Sequence, residues 1–336
     1  MDPEAVAGVE RVPHGGTADV RLLDFSANTN PERPSGVVGV YESAFGAARE
    51  YPSDDYCEFR TAAGAYVGCE PRDVVPTSGG LAAIRLALNV VVDAGESVLV
   101  PRPSFGEYDR EVRLQGGTPV SVPYDELVDA DPSDHAAAIV CNPNNPTGDA
   151  YPTGDLDRFA ERCRRAGTVL VADEAFLDFT DRPSLAGEPG VVVARSLTKM
   201  FGLPGLRAGF AVATGDLGER LETARLTWTL STPCADVGAY CMKQTEFVER
   251  TRRRVETERE RMRAALSTKF DVHPSDAPFL LLNVSPNDPS TVLDVARERD
   301  VVLRDATTFR GLDSHVRVAV KRPSENDSLL DALSHV

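Results

Sequence analysis

Only four of the 336 residues are lysines, Lys199, Lys243, Lys269 and Lys321, and one of them stands where an amine can do chemistry. Lys199 belongs to RSLTKMFGLPGLRAGF (195–210), just after an apolar run, with Pro204, Gly205 and Arg207 close behind. A lysine held against apolar walls gives up its proton more readily than one in water, because burial penalises the charged form. That is the condition for a nucleophilic amine able to form a Schiff base with a carbonyl. Taken alone, a loop lysine is most often a solvated charge, so the reading depends on its neighbours.

Three further loops supply them. CNPNNPTG (141–148) follows the apolar run AAIVC; Pro143 and Pro146 stiffen it, and Asn142, Asn144 and Asn145 offer amides. DEAFLDF (173–179) follows TVLVA and puts Asp173 at the mouth of a buried strand, where a carboxylate is costly unless a cation or donor meets it. TSGGLAAIRLAL (77–88) runs from strand into helix, and glycines 79 and 80 leave N–H groups and the helix dipole free to seat an anion. Each loop by itself also describes an ordinary turn or cap. Together they offer an amine for a carbonyl, a carboxylate for a pyridinium, an amide for a phenolic oxygen and a cradle for phosphate. Those are the requirements of pyridoxal 5′-phosphate.

The elements that must position these loops alternate. Strands are expected at Ser97–Pro101, Thr118–Val122, Ala137–Cys141, Thr168–Ala172, Val191–Ala194 and Ala208–Ala213, with helices near Gly80–Val92, Gly106–Leu114 and Thr153–Arg165. Continuous apolar runs suit strands buried on both faces of a mostly parallel sheet, so the fold class is α/β, a sheet layered between helices. Ligands in such folds bind beyond the carboxyl ends of the strands, where the three loops lie. After Pro233 the pattern changes to one long charged helix over Val237–Phe270. A strand at 279–284, a helix after Ser290, VVL at 301–303, a strand at His315–Val320 and a closing helix capped by Ser324 and Asp327 complete a smaller α+β unit.

Composition narrows the partners. Lys plus Arg number 36 and Asp plus Glu 52, so the net charge is −16. Such a field repels phosphate backbones and anionic lipids, which argues against nucleic-acid and membrane-surface binding. Arginine carrying nearly all the positive charge on an acidic chain suits a high-salt cytoplasm. The six cysteines form no CxxC pair and match no histidine spacing, so neither a metal site nor a disulfide framework is expected. The first 20 residues lack a signal-peptide pattern and no apolar run reaches membrane-span length, so a cytoplasmic location is expected.

In order along the chain, CNPNNPTG, DEAF and SLTKMFGLPGLRAGF resemble the fold-type I pyridoxal-phosphate enzymes, the class I/II aminotransferase group. Within it, HGG (14–16), DFSANTNP (24–31), YPSDDY (51–56), SFGEY (104–108) and FRGLDSHVRVAVKRPSEN (309–326) are most similar to the threonine-phosphate decarboxylases of cobalamin synthesis. Histidinol-phosphate aminotransferases are the near neighbours. The resemblance implies a large cofactor domain over residues 45–232 and a small domain from 14–44 and 233–336. It makes Lys199 the Schiff-base lysine, Asp173 the partner of the pyridine nitrogen, and Asn145 the donor to the 3-hydroxyl. It makes Phe105 the aromatic cover of the ring, with Gly79, Gly80, Leu81, Ser196 and Arg207 around the cofactor phosphate. Tyr51 would reach that phosphate from a neighbouring subunit, which implies a homodimer with shared active sites.

Two departures bear on the reaction. Many aminotransferases carry Tyr where DEAF has Phe176, so a second hydrogen bond to the 3-hydroxyl is missing at this cofactor-binding position. The phosphate loop reads SGGLAA, without the acidic residue of close relatives. Arg317 matches the family's carboxylate-binding arginine, and Arg304 the position that meets a substrate phosphate. His14 and Asn28, which the resemblance also places near substrate, tilt the reading toward a small phosphorylated amino acid. The expected reaction is therefore decarboxylation of L-threonine O-3-phosphate to (R)-1-amino-2-propanol O-2-phosphate. The alternative is an aminotransferase acting on histidinol phosphate or another amino acid.

Overall fold

The computed structural model describes residues 1–336. Its centre is a seven-stranded sheet of β1 (Val74–Thr77), β2 (Ser97–Arg102), β3 (Thr118–Pro123), β4 (Ala137–Cys141), β5 (Val169–Asp173), β6 (Val191–Ser196) and β7 (Gly209–Val212), ordered β1-β7-β6-β5-β4-β2-β3. Neighbours run parallel except around β7, which is antiparallel to both β1 and β6. The expected strands are all present to within two residues of each end. AAIVC and VVVARS are buried at every position, as a sheet covered on both faces requires.

Helices cover those faces. Gly80–Val91 buries Ala83, Ile84, Ala87 and Leu88 against one side, and Thr153–Ala166 buries Leu156, Phe159 and Cys163 against the other. The latter ends on Gly167 at φ +79, a left-handed cap that glycine adopts without Cβ strain.

The register decides where the three chemical loops go. Cys141 pairs with Asp173, and Asp173 with Ala194, so β4 and β5 end level and β6 runs two residues farther at the same edge. CNPNNPTG, DEAF and SLTK therefore leave one sheet edge side by side.

A second sheet lies beyond that edge. β8 (Asp271–Val272), β9 (Phe279–Asn283), β10 (Arg304–Asp305) and β11 (His315–Ala319) pair antiparallel in the order β10-β11-β9-β8. Leu23–Asp24 pairs parallel with Val301–Val302, which ties the N-terminal segment to this unit. One apolar cluster includes Val140 and Val193 of the large sheet as well as Leu282 and Val318 of the small one, so a continuous core walls the cleft between them.

Two expectations are corrected. The stretch Val237–Phe270 is not one helix: Thr232–Met242 and Thr245–Leu266 are separated at Lys243 and Gln244. The first is buried along most of its length against Val37–Phe45 and Cys57–Val67, whereas the second is charged and lies across the small sheet, so the chain must turn between them. The closing helix, Pro323–Leu333, is capped neither by Ser324 nor by Asp327. Glu325 accepts from the Arg322 N–H at 3.2 Å, and Asp327 instead pairs with Arg261 at 2.7 Å.

Candidate active site

A cleft of about 290 Å³ opens between the sheet edge and the small sheet. Of the expected site residues, His14, Asn28, Gly80, Leu81, Phe105, Asn145, Asp173, Phe176, Ser196, Lys199, Arg207, Arg304 and Arg317 all line it.

Lys199 sits in the helical turn Leu197–Met200 that leaves β6. Burial pushes its ammonium down to about 8; the charges of Arg317 and Arg207 act in the same sense, and Asp173 opposes them. A free amine near neutrality is what carbonyl condensation needs. The Nζ atom lies 5.8 Å from the centre of the Phe176 ring, which itself stands edge-on to Phe279 at 5.2 Å.

Asp173 closes β5 and is buried. It accepts from the Tyr108 hydroxyl at 2.6 Å and from the Ala175 N–H at 3.0 Å. Burial raises its pKa, while those two donors and the charges of Lys199 and Arg195 pull the other way. Tyr108 went unread in the sequence. The available signal was its spacing of three from Phe105 at a helix start, which brings the two rings into an edge contact at 5.6 Å.

Asn145 gives its side-chain oxygen to the Arg317 guanidinium. That partner fixes the orientation of the amide and leaves its NH2 for an acceptor.

At the other end of the cleft, Gly79 adopts φ +103 before the helix Gly80–Val91. A Cβ there would stand 2.8 Å from Arg207 Nη2, so the guanidinium packs on bare backbone at a helix N-terminus. Gly79 itself stands behind this wall and does not line the cleft. The Ser196 and Thr198 hydroxyls, 2.8 Å apart, complete a ring of donors, and Arg207 donates within the protein only to the Pro204 carbonyl at 3.3 Å.

The small sheet contributes the two arginines expected from the sequence, and the register sets them side by side. Arg304 and Arg317 are direct cross-strand partners, both buried and neither facing a carboxylate. Like charges directly opposite on a sheet destabilise it. Burial and Arg304 together push the Arg317 guanidinium down to about 9. Arg317 Nε and Asn28 Oδ1 are buried with no hydrogen-bond partner. His14 lines the mouth, 2.9 Å from Glu107.

Besides Gly79, Tyr51 is the one expected residue that does not line the cleft. It is 76% exposed, outside the cleft, and stacked on Trp228 with ring centres 4.1 Å apart.

The donor set fits a phosphorylated pyridine aldehyde: an amine of lowered pKa, a buried carboxylate at a strand end, a free amide NH2, and an arginine on a glycine cradle too close for any side chain. The orphaned Asn28 oxygen and Arg317 Nε lie beyond these, as spare capacity for a second ligand.

The comparisons with known proteins agree. The family model for aminotransferase class I and II matches residues 20–333. Histidinol-phosphate aminotransferase 1 of Archaeoglobus fulgidus is 30% identical over 325 residues, 94% of this chain and 99% of that protein. A protein of Caldanaerobacter subterraneus subsp. tengcongensis, provisionally named threonine-phosphate decarboxylase, is 30% identical over 305 residues, 84% of this chain and 82% of its own length. Among solved structures, L-threonine-O-3-phosphate decarboxylase from Porphyromonas gingivalis has the same fold, with a TM-score of 0.85 at 24% identity over 93% of this chain and 98% of that one. The histidinol-phosphate aminotransferase from Clostridium acetobutylicum superposes with a TM-score of 0.83 at 24% identity, over 93% and 98%. With a matching family model over nearly its whole length and a cleft built for pyridoxal 5′-phosphate, this chain belongs to the class I and II aminotransferase family.

Proposed function

We propose that the protein decarboxylates L-threonine O-3-phosphate, and the observation that carries this reading is the buried pair Arg304 and Arg317. Two unpaired guanidiniums beyond the one at the phosphate cradle suit a substrate with two anionic groups, a carboxylate and a phosphate. Histidinol phosphate offers only one.

When bound, pyridoxal 5′-phosphate supplies an electron sink for a bond at the amino acid's Cα. Lys199 Nζ is the amine that would hold the cofactor by its aldehyde carbon. Asp173, steadied by Tyr108, would keep a proton on the pyridine nitrogen. Asn145 would donate its NH2 to the phenolic oxygen, Phe105 would cover the ring, and Gly80, Ser196 and Arg207 would hold the phosphate. Gly79 keeps the approach to Arg207 clear, and Leu81 and Phe176 wall the ring's surroundings. The remaining residues choose the bond that breaks. Arg317 would take the carboxylate and Arg304, Asn28 and His14 the phosphate, and that two-ended grip would orient the Cα–carboxylate bond for cleavage. Carbon dioxide leaves, and reprotonation of Cα gives (R)-1-amino-2-propanol O-2-phosphate.

Transamination of histidinol phosphate is the second reading, favoured by the names of most of the similar proteins. Holoenzyme incubated with L-threonine O-3-phosphate and no keto acid separates the two. Stoichiometric carbon dioxide is expected; turnover only when a keto acid is added would reject decarboxylation.

The proposal includes a homodimer in which Tyr51 of one subunit serves the other's phosphate site. The exposure of Tyr51, Leu226 and Trp228 supports it.

A further inference from the structure

Nine to twelve residues before DFSANTNP, the chain crosses the mouth of the cleft as a strap. Val12, Pro13, His14 and Gly15 all line the cleft. The strap is held from both sides: Arg110 Nε donates to the Glu10 carbonyl at 3.1 Å, and Arg304 Nη2 to the Pro13 carbonyl at 2.8 Å. Bare backbone at Gly106 makes room for it, since a Cβ there would stand 2.8 Å from Val12 Cγ1.

Below the strap lies a chain of charges that the cofactor does not use. Glu111 is fully buried and takes both Arg85 Nε at 2.7 Å and Arg85 Nη2 at 2.6 Å. Arg110 bridges Glu111 and Glu107 at 3.3 and 3.2 Å. Glu107, also buried, ends the chain on His14 Nε2 at 2.9 Å. Burying two carboxylates is costly, and the two arginines already balance them. The chain thus points a carboxylate at a histidine that charge balance does not require.

We propose that Glu107 is a positioning residue that makes His14 a reader of the substrate's phosphate ester. This rests on the reading of the substrate given above. With Nε2 committed to Glu107, the other ring nitrogen, Nδ1, can donate to a phosphate oxygen only in the doubly protonated ring. A neutral ring would present a lone pair to that oxygen. The carboxylate opposite fixes the ring and faces any positive charge it carries. Phe105, 5.6 Å from the imidazole, keeps the ring from turning away. Glu107, which itself touches neither substrate nor cofactor, therefore adds through His14 to the selectivity for a phosphorylated amino acid over the free one.

The test uses holoenzyme and the isosteric variant Glu107→Gln, which keeps an acceptor and removes the charge. Apparent Kd is read from the rapid change in cofactor absorbance on mixing with L-threonine O-3-phosphate or with L-threonine. The expected result is about tenfold weaker binding of the phosphate ester, equivalent to about 1.4 kcal/mol, with L-threonine unchanged and kcat within about twofold. His14→Gln should lose the same factor, and the double variant no more than either single one, because the two residues act as one unit. Equal discrimination by wild type and Glu107→Gln, or additive losses in the double variant, would overturn the inference. If Glu107→Gln yields no folded holoenzyme, Glu107→Asp draws the charge back by one methylene. It should weaken the ester alone by about threefold, and equal weakening of both ligands would overturn the inference. A wild-type enzyme that fails to discriminate between the two ligands would instead reject the substrate reading itself.

Discussion

Lys199 shows how far burial alone can change a side chain. Its ammonium falls from 10.5 to about 8 because the turn after β6 carries it into the cleft, beside two arginines. The free amine then grows from about a tenth to about nine tenths between pH 7 and 9. Condensation of the apoprotein with pyridoxal 5′-phosphate, followed by stopped-flow absorbance, should rise over that window with a midpoint near 8. Arg317→Met removes a neighbouring positive charge and should move the midpoint upward. A wild-type midpoint near 10 would mean that the amine stays solvated. The same shift acts on stability: the unfolded chain holds this proton more tightly, so the contribution to apoprotein stability improves as pH rises from about 8 toward 10.5.

Among the elements, the helix Thr232–Met242 is the keystone between the packing layers. Gly238 lets it approach Cys57–Val67 so closely that a Cβ would stand 2.6 Å from Phe59 Cε2 and 3.2 Å from Leu197 Cδ1. Leu197 opens the turn that carries Lys199, so the contact transmits packing to the site. Gly238→Ala should destabilise by about 1–3 kcal/mol through overpacking, read as a lower urea midpoint at unchanged slope. An unchanged midpoint would show that Phe59 gives way freely. The strands of this layer were legible because continuous apolar runs have few other uses. The break at Lys243 and Gln244 was not, because charged residues continue across it and only the packing of the two halves against different partners distinguishes them.

For the whole molecule, charge and apolar surface act against each other. No helix is long and apolar enough to cross a membrane, yet the stacked pair Tyr51 and Trp228, with Leu226 at 78% exposure, leaves large apolar side chains in solvent. Two copies of a −16 chain repel at long range, and salt shortens that repulsion from about 10 Å at 0.1 M to about 3 Å at 1 M. The proposed dimer should therefore tighten as KCl rises from about 0.1 to 1 M, as measured by sedimentation equilibrium. Leu226→Asp should remain monomeric throughout and bind cofactor more weakly. A wild-type monomer at 1 M KCl would reject the shared-site arrangement.

By itself the sequence determined the chemistry of the loops and the sheet that presents them, because each loop's residues are contiguous and each strand's pattern is local. The lysine, the carboxylate, the amide and the glycine cradle could all be read in chain order. What only the tertiary structure decided are contacts between distant positions. Arg317 reaches Asn145 across 172 residues, His14 meets Glu107 across 93, and Tyr108 meets Asp173 across 65. No local pattern encodes these. They follow from strand register and from the packing of one layer on another, which set two arginines face to face and turned an ordinary glutamate toward a histidine.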